Sequence, residues 1–196
     1  MTEKQADRLK QKIKRIKADL AADKRRWGGF YDDSRGLRYL PPQYYIQLGD
    51  FKGGLRYLNW FNKNFPDDIG LPDFLFESII ILYQANKIRK AEEKAFQTYC
   101  SNTYLFDKFL GKAISPIDKY EGSNLQKPEF LEHFNYSSEQ ANLLDFSQWL
   151  EDLMLSNKFK KASQKLIEIH SQLKNESKLE KRRELIEIAN RLEEEY

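Results

Sequence analysis

Few residues in this chain have the types and spacing that covalent or metal chemistry needs. The single cysteine, Cys100, has no histidine close to it in sequence, which suits a core or helix-end thiol better than a nucleophile. Two histidines, His133 and His170, are too few for a His-rich metal site. The run Glu129-Phe130-Leu131-Glu132-His133 approaches the inverted zinc motif H-x-x-E-H, but Glu129 stands where the first histidine is required. Asp32 and Asp33 have no third carboxylate or histidine nearby, so capping a short turn, or pairing with Arg35 or Arg38, is the expected role. Gly28-Gly29 and Gly53-Gly54 lack the spaced glycines and the Lys-Ser/Thr of a phosphate-cradling loop. The expectation is a non-enzymatic protein with no metal and no cofactor.

The elements that would position any such residue are helical. At 196 residues the chain suits one domain, or one domain with appended helices. With 40% hydrophobic and 14% aromatic residues it should fold despite 32% charged residues. The longest apolar run, about Phe74 to Tyr83, is interrupted by Glu77 and falls short of the roughly 18 residues that span a bilayer. The first residues lack the apolar core of a signal peptide, and with one cysteine no intrachain disulfide can form; the expected location is cytoplasmic. The net charge of +3 is uneven: residues 1–26 carry +6 and the remainder −3.

Residues 3–24 predict a helix with a narrow apolar seam of Leu9, Ile13, Ile16 and Leu20. The seam is expected to dock on the protein's own core, with pairing to a second chain as the alternative. Residues 27–41, rich in Gly, Pro and aromatics, read as turns. Helices are then expected at Pro42–Leu48, Phe51–Asn64, Pro72–Gln84, Lys87–Tyr99, Thr103–Lys112, Ser137–Leu155, Lys158–Leu173 and Ser177–Glu195. Asn86 should take left-handed geometry at the turn before Lys87. The stretch 113–136 reads as an irregular insertion, broken by Pro116 and Gly122-Ser123-Asn124, and the best place for a loop or a nick.

One element has a distinctive pattern. A Gly49-Asp50 turn leads into a helix with Gly54 at a small-residue position, then Leu58 and Phe61, and Pro66 closes it. Ala91 with Ala95, and Ala162 with Leu166, repeat the small and large positions. This resembles the tetratricopeptide repeat, a helical hairpin of roughly 34 residues. The resemblance implies an all-α protein of antiparallel hairpins stacked as a short right-handed superhelix over residues 42–176, with residues 104–137 as one degenerate repeat. A basic N-terminal helix (1–26) and a capping helix (177–196) flank it. Gly53 and Gly54 together suggest a close neighbour, expected to be the 27–42 aromatic segment.

The resemblance also implies a groove lined by the first helix of each hairpin, where a protein or peptide segment docks. By position, the groove residues are Tyr39, Gln43, Gln47, Phe76, Ile80, Tyr83 and Gln84, with Arg35 and Arg38 as a carboxylate-binding fork. The function expected is therefore protein or peptide binding by a scaffold module, with no membrane. Nucleic-acid binding through the basic N-terminal helix is the alternative, less favoured because that helix has no aromatics to stack on bases. A homodimer through the same helix remains open.

Overall fold

The computed structural model describes all 196 residues, as nine α-helices and three short 3₁₀ turns. There is no strand, so the chain is all-α as expected. It divides into two compact units, Met1–Ile88 and Arg89–Tyr196. The division falls between Ile88 and Arg89, inside the stretch that the repeat resemblance groups as one array.

The first unit holds α1 (Glu3–Arg26), α2 (Pro41–Leu48), α3 (Phe51–Asn64) and α4 (Pro72–Gln84). α1 starts in a capping box: Thr2 accepts from the Gln5 backbone while the Gln5 side chain accepts from the Thr2 N–H. Its Ile13, Ile16 and Leu20 are buried, so the seam is spent inside its own unit. Ile13 packs with Tyr45 of α2 and Tyr57 of α3. α2 ends at Gly49, whose left-handed φ of 66° relieves the turn, and Asp50 caps α3 by accepting from Gly53 N–H at 2.8 Å. α2, α3 and α4 each pack on the other two, and α1 packs on α2. α4 is apolar nearly all round: every residue from Phe74 to Leu82 is buried.

The space beside the paired glycines is taken by side chains. A Cβ on Gly54 would lie 3.0–3.1 Å from three side-chain atoms of Ile81 in α4. One on Gly53 would overlap the Asp50 carboxylate and come within 2.7 Å of the Tyr45 ring. The expected neighbour, the 27–42 segment, is not what meets them; that segment folds back on α1 and the end of α3. Asp23 accepts the backbone N–H of Asp32 at 2.8 Å and of Asp33 at 3.3 Å, and the Tyr31 hydroxyl donates to Asn64 at 3.1 Å.

The second unit holds α5 (Ile88–Ser101), α6 (Leu105–Phe109), α7 (Leu144–Leu155), α8 (Asn157–Asn175) and α9 (Leu179–Glu194). Asn86, in the turn before α5, has φ of 56°, as expected for an asparagine replacing glycine. α8 packs on α7 and α9, and Ile169, Leu173 and Leu185 form a local core. A second, aromatic cluster joins Phe96, Tyr99, Phe106, Phe159 and Tyr196. Residues 104–137 contain no hairpin of two helices: the five-residue α6 is followed by irregular chain and two 3₁₀ turns, Asn124–Gln126 and Pro128–His133. Pro116, Gly122 and Pro128 remove the donors and restraint a helix there would need. The stretch is nonetheless pinned. Tyr120 N–H donates to the His170 carbonyl at 2.9 Å, and the Asn102 amide donates to the carbonyls of Leu125 and Lys127.

Candidate binding cleft of the N-terminal unit

The residues expected to fork a carboxylate have different surroundings. Arg38, in the 3₁₀ turn Leu37–Tyr39, donates through Nε to Asp68 at 2.6 Å and through Nη1 to Asp33 at 3.0 Å. The Asp33 side chain is only 2% exposed, and it also caps the turn by accepting from the N–H groups of Leu37 and Arg38. Burial opposes the Arg38 charge, but its hydrogen bonds to Asp68 and Asp33 outweigh that and hold its pKa above the ordinary value. Tyr39 donates its hydroxyl to Asp68 at 2.8 Å; burial first, then that hydrogen bond, pushes it up to about 12. The cluster therefore fastens the 33–39 turn to the loop after α3, and Tyr57 adds a hydrogen bond from its hydroxyl to the Arg38 carbonyl at 2.7 Å.

Of the other groove residues, Arg35 and Gln47 are exposed, Gln43, Tyr83 and Gln84 are half-buried, and Phe76 and Ile80 are enclosed. Gln43 and Gln47 lie two residues either side of the buried Tyr45, hence on the opposite face of α2 from the one α1 covers. Arg35 and Gln47 are thus the open members of the set. Elsewhere, Asp33 fulfils the capping and pairing role expected of it. Burial pushes the Cys100 thiol well above its ordinary range, and no three His, Cys, Asp or Glu side chains are grouped to hold a metal ion.

The first unit opens a different concavity. A cleft of about 670 Å³ lies between α1, the start of the 27–40 segment and α3. That is within the range of roughly 300–1,000 Å³ typical of ligand sites. α1 contributes Lys17, Ala21, Lys24 and Arg25, spaced four, three and one apart on one helical face beside the buried seam. α3 contributes Arg56, Tyr57, Trp60 and Asn64 from the face that meets α1, and Gly29 and Tyr31 close one end.

This wall is cationic and aromatic, with no carboxylate in the lining. Lys17, Arg25 and Arg56 are exposed, and neither they nor Lys24 pairs with an acid. Lys24 is held instead by donating to Asn64 Oδ1 at 2.9 Å, with its ammonium 5.0 Å from the centre of the Tyr31 ring. Lys17 lies over Tyr45 and Tyr57. Trp60 is braced by Tyr57 at 5.2 Å, by Tyr31 edge-on at 6.1 Å and by Phe65 at 5.8 Å, yet stays half-buried. The Asn64 amide is fixed by donating to the Trp60 carbonyl at 2.8 Å. A rigid aromatic wall beside unpaired cations suits a ligand with negative charge and a flat or apolar part.

None of the cleft residues stands in the set read from the repeat pattern. The signals available in the sequence were the basic run of α1 and the absence of any acid from α3, which carries Lys52, Arg56 and Lys63. That the two faces meet, with Tyr31 and Trp60 between them, depends on how α1 crosses the hairpin.

No protein family, curated protein or solved structure matches this chain. Its class therefore rests on its own geometry: an all-helical protein whose N-terminal unit carries a cation-lined, aromatic cleft.

Proposed function

We propose that the protein is a non-enzymatic helical binding module that captures an anionic partner in the α1–α3 cleft. The observation that carries this is the set of unpaired cations, Lys17, Arg25 and Arg56, around a concave wall with no acid in it. Free cations on a convex helix are ordinary solvated groups; converging on a cleft they create a positive potential that concentrates anions. Retention on immobilised heparin tests the reading. The wild-type chain should elute only as salt is raised, and Lys17→Gln/Arg25→Gln/Arg56→Gln should elute at clearly lower salt. Equal elution of the two would refute it.

The scaffold in this proposal is a tetratricopeptide-like hairpin, α2 with α3, continued by α4. Mutual packing of α2, α3 and α4 supports it, because in such arrays the first helix of a hairpin touches both its partner and the first helix of the next. The closeness of Gly54 to Ile81 supports it too, since the small-residue position lets α3 and α4 approach. α1 then covers the end of the array, on the side of Tyr45 and Tyr57.

A second reading, docking of a protein or peptide segment on the face of α2 opposite α1, is favoured by the exposure of Gln47 there, with Arg35 exposed in the segment before the helix. Arg35→Ala with Gln47→Ala should then lose specific partners in a pulldown from lysate while heparin retention is kept. An unchanged set of partners would remove this reading and leave the cleft as the module's recognition surface.

A further inference from the structure

We propose that the α1–α3 cleft takes single-stranded nucleic acid, with a base against the Trp60 and Tyr31 wall and backbone phosphates on Lys17, Arg25 and Arg56. This deepens the anion-binding reading above and rests on it. Phosphate neutralisation by lysine and arginine supplies most of sequence-independent affinity, and strand binding adds base stacking on aromatic side chains. α1 alone has only the first half of that chemistry, having no aromatic residue. The fold supplies the second half: Tyr31 and Trp60, both partly exposed, are brought to the same wall as Lys17 and Arg25, with the buried Tyr57 bracing Trp60 from behind.

The wall discriminates between anions. A duplex hides the faces of its bases in the stack, so it can use the cations but not the rings. A bilayer could be entered only through Trp27 and Phe30, because the apolar residues of α1, Ile13, Ile16 and Leu20, are already buried in the unit, and it would leave the Trp60 wall unused. An acidic peptide can pair with Arg25 and Arg56, but its carboxylates offer no aromatic face to stack on Trp60. A single strand offers both parts in every nucleotide. Next to the cleft, the segment that contributes Gly29 also carries Trp27 and Phe30, 52% and 78% exposed, which are platforms available to neighbouring bases.

The test is anisotropy of a labelled oligothymidylate with the full chain, over a range of salt. Heparin, duplex DNA, polyglutamate and phosphatidylserine vesicles serve as parallel probes. With the three cations engaged, log affinity for the strand should fall against log salt with a slope of about −2, and Lys17→Gln/Arg25→Gln/Arg56→Gln should remove most of that dependence. Trp60→Leu should weaken the strand by roughly 5- to 100-fold, the loss of one stacked base. Heparin has no bases, so its retention should be unchanged in Trp60→Leu; that control separates lost stacking from a disturbed cleft. If Trp60→Leu leaves strand affinity intact, or weakens heparin equally, stacking is overturned. If duplex, polyglutamate or vesicles bind as tightly as the strand, the single-strand assignment falls while anion binding stands. If no polyanion binds at low salt, both readings fall.

Discussion

Removing Arg38 should cost the N-terminal unit heavily, because it leaves the Asp33 carboxylate buried and without its cation. A surface ion pair is worth under about 1 kcal/mol, but losing one partner of a buried pair costs about 3–5 kcal/mol. Arg38 is itself 21% exposed, so Arg38→Gln is expected at the lower end, about 3 kcal/mol, measured as a shift in urea midpoint at unchanged slope. Tyr39→Phe removes the hydroxyl that donates to Asp68 and accepts from Arg38 Nη2 at 2.9 Å, while Asp68 keeps Arg38 and the Gly70 N–H; about 1–2 kcal/mol is expected. In the second unit, His170 offers a pH handle. Burial first, then the charge of Lys119, lowers its pKa below the usual imidazole value. The unfolded chain therefore takes up the proton at higher pH than the folded one. The contribution of His170 is fully present above about pH 6.5 and is lost as pH falls below it toward the lowered folded value. His170→Gln should flatten the fall in urea midpoint between pH 7 and about pH 5; an unchanged profile would mean that other groups govern it.

At the scale of elements, the two adjacent glycines of α3 have unequal roles that substitution should separate. Gly54→Ala gains up to about 1 kcal/mol in helix propensity but drives a methyl against Ile81, and overpacking costs about 1–3 kcal/mol. A net loss of about 1 kcal/mol is expected. Ile81→Val, which trims one of the crowded atoms, should cost less in the Gly54→Ala background than in the wild type. Additive costs would show that the two side chains do not meet. Gly53→Ala should cost more, about 2 kcal/mol, since its methyl would displace both the Asp50 cap and the Tyr45 ring. Most helices were legible at this scale. α3 and α4 run over the expected residues because each has a clear start, Asp50 and Pro72, and a sustained apolar period. α7 was not: it begins at Leu144 and not at Ser137. The polar, cap-like Ser137-Ser138 pair precedes a loop there, in which Ser138 N–H bonds the Phe109 carbonyl at 2.8 Å.

For the whole molecule, light scattering should give a monomer of 23.3 kDa, because Ile13, Ile16 and Leu20 of the α1 seam are already buried in the chain's own first unit. A concentration-dependent dimer would place the pairing surface elsewhere than Leu9, Ile13, Ile16 and Leu20. The sequence by itself determined the helical class, most helix limits, the N-terminal charge bias and the inward-facing seam of α1. Those follow from periodicity, capping residues and composition, which are local along the chain. The tertiary structure decided what the charges and rings do. Arg38, open on paper, became a half-buried fastener because Asp68, thirty residues on, is brought to it. Lys17 and Trp60 share a cleft because α1 lies across the hairpin, a contact between residues too far apart in sequence for any local pattern to encode.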